Sequence, residues 1–439
     1  MAVLEKNPFR YGPPVRGDDF INRETELRAV FNRMRTGQST AIVGEPHIGK
    51  TSFLHRLMDP AAQKVFMSDE EAKHLHVLFI DLHDIPSDFN PKGFWDYAFE
   101  DLVESPGQHP IGALVKRARE QSYSKRSLEK LFFTLADQER KLVLLLDEFE
   151  VVLKHKGFQD PEFFTRLRSL SNNTGGLVLI PSSRMTIGEM NALGRGLLDT
   201  GSPFFNNMIP EMLRPFDEES IQLLFHRVGR TLTTQDIRFI RRMAGTNPFA
   251  LQTMAGALWE TQGNNRYEKA AERFFNQIAS HFDDLWYAMD DETRTTAVIL
   301  SLLELGGRAL GSEFSYGEIE RVDHYGVELR KLAVRGLAEM VETKEKGWLW
   351  DWNHLLVWRG ERWIIGSLAF AWWVREVVIA KSRKVPKYDE WLQNKRYHML
   401  LTEQQWRALT DKFKHAPAWA VGGVGQLARE LWTSLRKQE

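Results

Sequence analysis

Short apolar runs alternate with segments of helical periodicity through the first half of the chain. Five of these runs are short enough for buried strands: Ser39–Val43, His76–Leu82, Leu142–Leu146, Leu177–Ile180 and Asn207–Leu213. Segments with apolar residues at helical spacing separate them: Thr51–Met58, Lys92–Val103, Ser127–Asp137 and Pro161–Leu170. Strands that alternate with helices predict an α/β fold with a doubly wound parallel sheet. In such a sheet, ligands bind at the carboxyl ends of the strands.

The strand pattern ends near residue 217, and helical spacing takes over. Four segments show it: Glu218–Gly229, Thr234–Ala244, Pro248–Trp259 and Tyr267–His281. A section of mixed helical and short-strand pattern follows, and the basic segment Lys381–Lys387 separates it from a last helical stretch. We therefore expect an α/β core over 1–216, a helical part over 217–283, a mixed domain over 284–383 and a helical extension over 384–439.

Composition and apolar patterning limit the kinds of site and the cellular location that we expect. The formal net charge is -1 and there is no cysteine, so neither disulfides nor cysteine-bound zinc contribute. The first residues lack the apolar core of a signal peptide. Trp363–Val374 is the most apolar late stretch, is too short to cross a bilayer, and predicts a buried helix. We expect a soluble, cytoplasmic protein without a membrane partner.

A glycine-rich loop follows the first predicted strand and precedes a predicted helix. The loop and the helix start comprise Gly44, Glu45, Pro46, His47, Ile48, Gly49, Lys50, Thr51 and Ser52. Strand, glycine loop and helix start in this order are typical of a P-loop. Its backbone N–H groups surround a β-phosphate, its lysine reaches the β- and γ-phosphate oxygens, and its threonine hydroxyl binds Mg²⁺. The sequence therefore predicts that ATP or ADP binds here.

Two adjacent acids end the apolar run that begins at Lys141. Asp147 is expected beside Mg²⁺, so that Thr51 and Asp147 form the metal site. Glu148 is expected to face the γ-phosphate, where it would orient and deprotonate the attacking water. The alternative is a buried strand that ends in two solvated acids. The position of the pair about a hundred residues after the glycine loop favours the catalytic interpretation.

Two further segments are candidates for sensing the nucleotide. The next apolar run ends with Ser183 and Arg184, which would read the γ-phosphate or supply charge in the transition state. Its alternative interpretation is a surface turn. The junction around Pro248 joins two predicted helices and would lie over the base and ribose if these helices form a lid.

In combination these motifs resemble the STAND class of AAA-like P-loop ATPases, known from bacterial and archaeal conflict and signalling systems. The resemblance covers residues 7–378 and includes the leader NPFRYGPPVRGDDFINRETEL, the glycine loop, LLLDEFE, FFTRLRSLSNN, PSSR, SPFFNNM and AGTNPFALQ. It implies an ASCE- or AAA-like P-loop sheet followed by a helical lid, a winged-helix domain and a helical C-terminal tail. It also implies that the leader around Phe20 and Arg23 borders the adenine.

The chain departs from the family pattern at two positions. Asn22 replaces a glycine of the leader, and His47 stands where many relatives carry arginine. The residues that hydrolysis requires are retained: Lys50, Thr51, Asp147 and Glu148. Turnover is therefore chemically feasible, and a slow ATP-gated switch is equally compatible. Arg166 or Arg168 is the candidate for an arginine finger acting in trans, with ordinary surface arginines as the alternative.

The expected winged helix raises the question of a DNA partner. Its helices are predicted at 291–304, 316–322 and 325–336, and its wing strands at 338–341 and 348–352. The would-be recognition helix carries Arg330, Lys331 and Arg335, which are few for reading DNA. We favour a domain that packs against the nucleotide domain. The extension after Lys381 has a local excess of basic residues, which suits nucleic acid, an acidic protein surface or a solvated helical face.

Two functions remain open. The first is a regulatory ATPase whose nucleotide state controls self-assembly or the binding of a protein partner. The alternative is a DNA-acting AAA-like ATPase of the initiator or transposition-associated kind, which would use its winged helix. A P-loop metabolic kinase is disfavoured, because a small-molecule kinase has no evident use for the long helical half.

Overall fold

The computed structural model of the protein describes residues 6–104, 111–195, 204–227, 232–289, 297, 300–301, 355–359 and 362–379. These residues belong to two compact units. The first, here called the α/β unit, lies within residues 14–213. The second, here called the helical unit, combines residues from 1–13 with residues from 214–439.

Among the described residues, five strands of the α/β unit form one parallel sheet. They are β1 (Thr40–Val43), β2 (Leu75–Asp81), β3 (Lys141–Asp147), β4 (Leu177–Ser183) and β5 (Ile209–Met212). Their order across the sheet is β2-β3-β4-β1-β5, with every pairing parallel. The five predicted strands and the α/β class are confirmed. Because β4 lies between β1 and β3, the segments that follow these three strands meet at one edge.

The described helices of the α/β unit connect or flank these strands. They are α1 (Glu24–Thr36), α2 (Lys50–Met58), α3 (Pro60–Phe66), α4 (Asp69–Lys73), α5 (Pro91–Ala98), α6 (Glu100–Glu104), α7 (Gly112–Glu120), α8 (Lys125–Asp137), α9 (Glu150–Lys154), α10 (Pro161–Asn173) and α11 (Ile187–Arg195). The single helix predicted over Lys92–Val103 is two helices, α5 and α6. They separate at Phe99, whose backbone leaves helical geometry at φ -112° and ψ 9°. Its ring stacks on Trp95 in the core, 5.3 Å between centroids.

The sheet is buried on both faces. Along β3, Leu142, Leu144 and Leu146 pack into one apolar cluster, whereas Val143 and Leu145 pack into another. Successive side chains of a strand point to opposite faces, so the two clusters lie on the two sides of the sheet. A parallel sheet covered in this way reads as a continuous apolar run, which is the pattern seen in the sequence. The buried strands leave their carboxyl ends as the place for polar chemistry.

The helical unit contains four described helices and a hairpin with a short helix after it. These elements are α12 (Glu218–His226), α13 (Thr234–Ala244), α14 (Pro248–Trp259), α15 (Arg266–Ala288), β6 (Leu356–Arg359), β7 (Arg362–Ile365) and α16 (Leu368–Trp373), with a π-helical turn at Val374–Ile379. The buried Ser367 hydroxyl donates to the carbonyl oxygen of Met243 at 2.7 Å, which joins the start of α16 to α13. Phe9, near the N-terminus, packs against Phe225 and Trp259 of this unit.

The buried helix predicted over Trp363–Val374 is wrong in its first part. Residues 362–365 form β7, which pairs with β6, and the helix starts at Leu368. Ser367 ends the strand and caps the helix, because its hydroxyl accepts from the backbone N–H of Phe370 at 3.2 Å. The helix itself is buried, as predicted. None of the helices among the described residues is long and apolar enough to cross a membrane.

The helices and wing strands predicted for the winged helix fall almost entirely outside the described residues. Of its expected elements, only residues 297, 300 and 301 are described, and they are helical. Arg330, Lys331 and Arg335 lie outside the described residues, as does the extension over 384–439.

Candidate functional site

The glycine loop joins β1 to α2 in a conformation that requires glycine at its first position. A Cβ atom on Gly44 would lie 2.8 Å from Ile48 Cγ2 and 2.9 Å from the carbonyl oxygen of Leu213. The N–H of Gly44 donates to the carbonyl oxygen of Ser183 at 3.2 Å, which attaches the loop to the end of β4. Further along, His47 and Gly49 have left-handed backbones, with φ 59° and 101°. A left-handed backbone is uncommon for residues other than glycine, although histidine adopts it more often than most.

Lys50, the first residue of α2, is folded back over the loop. Its side chain is buried, and Nζ donates to the carbonyl oxygens of Gly44 and Glu45, each at 3.1 Å. Burial lowers the pKa of Lys50, while the nearby carboxylates of Glu148, Glu150 and Asp147 act in the opposite direction. The loop therefore surrounds a positive charge that faces a group of acids.

A hydrogen bond joins the glycine loop to the acid pair. The hydroxyl of Thr51 donates to Asp147 Oδ2 at 2.6 Å. The other oxygen, Asp147 Oδ1, accepts from the hydroxyl of Ser182 and from the N–H of Glu148 at 3.2 Å. Asp147 is buried and its two oxygens are both engaged. The ends of α2, β3 and β4 thus meet at one carboxylate.

Glu148 follows Asp147 in a left-handed conformation, with φ 52°. This backbone is uncommon for a residue other than glycine, and strained residues of this kind concentrate at functional sites. The Glu148 N–H points at Asp147 Oδ1 and at the Ser182 hydroxyl. Burial raises the pKa of Glu148, Glu150 and Asp147 raise it further, and the charge of Lys50 opposes them. A raised pKa suits a carboxylate that accepts a proton near neutral pH.

The end of β4 carries the predicted Ser183 and Arg184. Ser183 is fully buried; its hydroxyl accepts from the N–H of Met185 at 2.9 Å, and its carbonyl oxygen holds Gly44. The serine that reaches Asp147 is the preceding one, Ser182. Arg184 is half exposed and contacts Glu150 through its N–H at 3.2 Å and through Nε at 3.4 Å.

Ser182 and Glu150 were not among the sequence candidates. Because side chains alternate along a strand, only one of two adjacent serines can face the acid pair. Which serine faces it depends on the register between β3 and β4, where Leu146 lies opposite Pro181. The sequence did contain a signal for Glu150, because it is a third acid close after the acid pair, in the segment DEFE.

The leader lies along α2. The Ser52 hydroxyl accepts from the N–H of Val15 at 3.1 Å, and the Phe20 ring packs against Phe53 and beneath the guanidinium of Arg56. Arg23 is largely buried, starts α1 with φ 71°, and pairs with Glu26 at 3.1 Å.

Asn22, where the sequence resemblance leads us to expect glycine, also has a left-handed backbone, with φ 56°. Asparagine adopts this conformation more readily than most residues, so a turn of this kind can form without glycine.

The remaining candidates are found on other elements of the fold. Pro248 is the buried first residue of α14, in the helical unit, and Asn247 caps that helix by accepting from the N–H groups of Phe249 and Ala250. Arg166 and Arg168 both lie on α10, where Arg166 forms an ion pair with Glu162 one turn away. Proline is well suited to the first turn of a helix, so Pro248 has a clear structural role.

The fold and the site define a class of protein. Strand β4 separates the strand of the glycine loop from the strand of the acid pair, and the lysine, threonine and two acids of a P-loop ATPase meet at its end. The α/β unit therefore has the fold and the site of a P-loop ATPase.

Comparisons with known proteins agree with this class. Residues 33–182 match the family model of the AAA domain. A Walker-type ATPase of Pyrococcus abyssi is similar in structure, with a TM-score of 0.50 and 13% identity over 83% of this chain and 98% of the other. This likeness concerns the fold.

Two ORC structures are also similar, at lower TM-scores. The Aeropyrum pernix ORC2 protein in its ADPNP–ADP complexes has a TM-score of 0.38 and 13% identity over 84% of this chain and 98% of the other. A structure of Drosophila ORC bound to DNA has a TM-score of 0.40 and 13% identity over 83% of this chain and 89% of the other. No curated protein matches the sequence.

Proposed function

We propose that this ATPase is a regulatory switch of the STAND type, whose nucleotide state changes self-assembly or the binding of a protein partner. The observation that carries the proposal is the end of β4. Ser182 contacts the acid pair, Ser183 contacts the glycine loop, and the half-exposed Arg184 follows at once. A segment bonded to both halves of the site can respond when a phosphate enters between them.

ATP fits the glycine loop through charge and backbone geometry. The loop ends at the start of α2, where N–H groups and the helix dipole favour an anion. Lys50 would exchange its two carbonyl partners for β- and γ-phosphate oxygens, which are stronger acceptors because they are charged. Phe20 and Arg23 of the leader would border the adenine, and the Pro248 junction would approach the base from the lid.

Mg²⁺ fits the oxygen atoms of Thr51 and Asp147. A hydroxyl and a carboxylate already 2.6 Å apart are oxygen ligands of the kind that Mg²⁺ prefers, together with water and phosphate. Thr51 would bind the ion directly and Asp147 through water. When bound, the ion neutralises charge on the phosphates.

Hydrolysis would then depend on Glu148. Its carboxylate is held beside Asp147 by a strained backbone, and its raised pKa favours taking a proton from water. Lys50 and Arg184 would stabilise the negative charge that develops on the transferred phosphoryl group.

The switch would need one conformation to bind the γ-phosphate better than the other. Arg184 and Ser183 are the candidates for this difference inside the α/β unit. In STAND proteins the output goes through the lid and the winged helix, and α12 to α15 of the helical unit are the candidates for the lid. A small-molecule kinase would have no evident use for it.

Mass photometry of the full chain with Mg²⁺ and ATP, ADP or no nucleotide tests the proposal. The Glu148→Gln variant with ATP should collect in the ATP-dependent state, whether that is an assembly or a complex with a partner captured by pull-down. Glu120→Gln, an exposed acid on α7, is the matched control and should behave as the wild type.

Identical assembly and identical partner binding in all nucleotide states would contradict the switch. If duplex DNA instead bound in a salt-sensitive way, and neutralising Arg330, Lys331 and Arg335 removed that binding, the alternative function would replace it.

A further inference from the structure

We propose that Glu150 is a positioning residue that aims the guanidinium of Arg184 at the terminal phosphate of the bound nucleotide. The inference rests on the proposed function, because it concerns how the same site distinguishes ATP from ADP. It assigns a role to the third acid of the segment Asp147–Glu150.

The buried carboxylate of Glu150 contacts Arg184 through one of its two oxygens. Its side chain is 1% exposed, and Oε1 accepts from the N–H of Arg184 and lies 3.4 Å from Arg184 Nε. The other oxygen, Oε2, is buried and has no hydrogen-bond partner among the described residues. A buried ionised carboxylate is costly unless it is paired. Arg184 is the cation in contact with Glu150, and the buried Lys50 is a second cation whose charge acts on it.

The way in which Glu150 holds Arg184 leaves the far end of the arginine available. The contacts use the backbone N–H and Nε, which lies at the base of the guanidinium group. The side chain of Arg184 is 49% exposed, so its two terminal nitrogens, Nη1 and Nη2, can reach a ligand. A planar guanidinium held at its base presents these nitrogens in a fixed direction, with a geometry that matches phosphate oxygens. Lysine has no atom equivalent to Nε and could not be held in this way.

The pair is fixed in place by the fold around it. Phe149, directly before Glu150, is buried against Phe204 and Phe205, and its N–H donates to the carbonyl oxygen of Ser182. Arg184 begins the segment after β4. Glu150 and Arg184 therefore project from neighbouring strand ends.

The same pair lies close to the phosphate-binding groups. The N–H of Gly44 donates to the carbonyl oxygen of Ser183 at 3.2 Å, so the end of β4 is bonded to the glycine loop. Arg184 is the next residue after this contact.

The test compares the affinities for ADP and for a non-hydrolysable ATP analogue, both with Mg²⁺, by titration calorimetry on the full chain. Glu150→Gln keeps the size of the side chain and an acceptor for the Arg184 N–H, but removes the charge that holds Nε. We expect the variant to bind the analogue about tenfold more weakly, because one charge-assisted contact is lost. Its affinity for ADP should be unchanged.

A double-mutant cycle shows whether Glu150 acts through Arg184. Arg184→Ala should weaken binding of the analogue by at least as much as Glu150→Gln does. The double variant should bind the analogue no more weakly than Arg184→Ala alone. Glu189→Gln is the matched control, because this exposed acid also bonds the chain just after β4, at Thr186. It should leave both affinities unchanged.

Arg184→Lys keeps the inference testable if Glu150→Gln does not fold, since residue 184 is exposed. This variant preserves the charge and the backbone N–H. It should nevertheless lose the preference for the analogue over ADP, as Glu150→Gln does. Three results would each overturn the inference. Arg184→Lys could keep the full preference for the analogue over ADP, or the double variant could bind the analogue more weakly than Arg184→Ala. Glu150→Gln could also lose as much affinity for ADP as for the analogue.

Failure of the proposed function would look different. In that case the wild type itself would bind ADP and the analogue equally, with no change in assembly. If the wild type prefers the analogue and Arg184→Ala abolishes the preference while Glu150→Gln does not, only the role of Glu150 is lost.

Discussion

The hydroxyl of Thr51 donates to Asp147 Oδ2 across 2.6 Å, although the two residues are 96 positions apart in the chain. This bond joins the glycine loop to the acid pair, and Ser182 completes it from the strand between them. The site therefore depends on three neighbouring strand ends, and substitutions at each of them should have separable effects.

Asp147→Asn should reduce the dependence of nucleotide binding on Mg²⁺. The amide keeps the size of the side chain but loses the charge that would orient the ion through water. Loss of such an outer ligand weakens metal affinity by about 10- to 100-fold. Calorimetric titration of Mg²⁺ into the ADP complex measures it, with ADP binding in EDTA as the internal reference. An unchanged Mg²⁺ affinity would show that Asp147 is not near the ion.

Glu148→Gln should abolish most hydrolysis and leave ATP binding intact. A general base typically contributes about 10²- to 10⁴-fold to the rate, and glutamine cannot accept the proton. Phosphate release in steady state gives the rate, and binding of fluorescent ATP gives the affinity. The exposed Glu120→Gln variant should match the wild type in both. A Glu148→Gln variant with full turnover would assign the base to another residue.

Gly44→Ala should destabilise the α/β unit. The new methyl group would lie 2.8 Å from Ile48 Cγ2 and 2.9 Å from a backbone oxygen of Leu213, so the loop or β5 must shift. Overpacking of this kind costs about 1–3 kcal/mol in the free energy of unfolding. Chemical denaturation measures it.

Gly188→Ala is the matched control for Gly44→Ala. At Gly188, an exposed position of α11, the added methyl group meets only Thr186 Oγ1 at 3.8 Å, so this variant should be neutral or up to about 1 kcal/mol more stable. Equal effects of the two substitutions would argue against the packing seen at Gly44.

Asp236→Asn should destabilise the protein in a pH-dependent way. Burial acts to raise the pKa of Asp236, but hydrogen bonds from Thr233 and Tyr267 and the charge of Arg266 outweigh it, so the pKa is lowered. A lowered pKa in the folded state gives stability that is present above the unfolded pKa of about 3.9 and is lost as the pH falls below it. The variant should therefore lose about 1–3 kcal/mol at pH 7 and progressively less below pH 4.

Urea denaturation at a series of pH values measures the stability difference for Asp236→Asn. Glu218→Gln removes an exposed carboxylate that pairs with Arg241 and should cost little at any pH. A constant difference between Asp236→Asn and the wild type across this pH range would contradict the pairing of a charged Asp236 with its donors.

The local pattern of the sequence was sufficient for much of the fold. The strand β3 was predicted at Leu142–Leu146 and is observed at Lys141–Asp147, and α13 and α14 begin and end where helical spacing placed them. A continuous apolar run and a 3.6-residue spacing are local signals of burial, and neither needs knowledge of distant residues.

Two local predictions failed where packing overrode periodicity. The Lys92–Val103 segment breaks at Phe99, whose backbone leaves helical geometry where its ring packs against Tyr123, 5.9 Å between centroids. The segment from Trp363 to Ile365 pairs as β7 with β6, a partner that helical spacing cannot reveal. In both cases the backbone conformation depends on contacts with another part of the chain.

The sequence by itself determined that an ATPase loop, an acid pair and an apolar α/β core are present, because each is written in contiguous residues. Only the tertiary structure decided which of two adjacent serines reaches Asp147, and that Glu150 holds Arg184. Both outcomes depend on β4 lying between β1 and β3 in one register. Strand order and register come from the packing of the whole sheet, and a shift of one residue would turn every side chain of β4 to the opposite face.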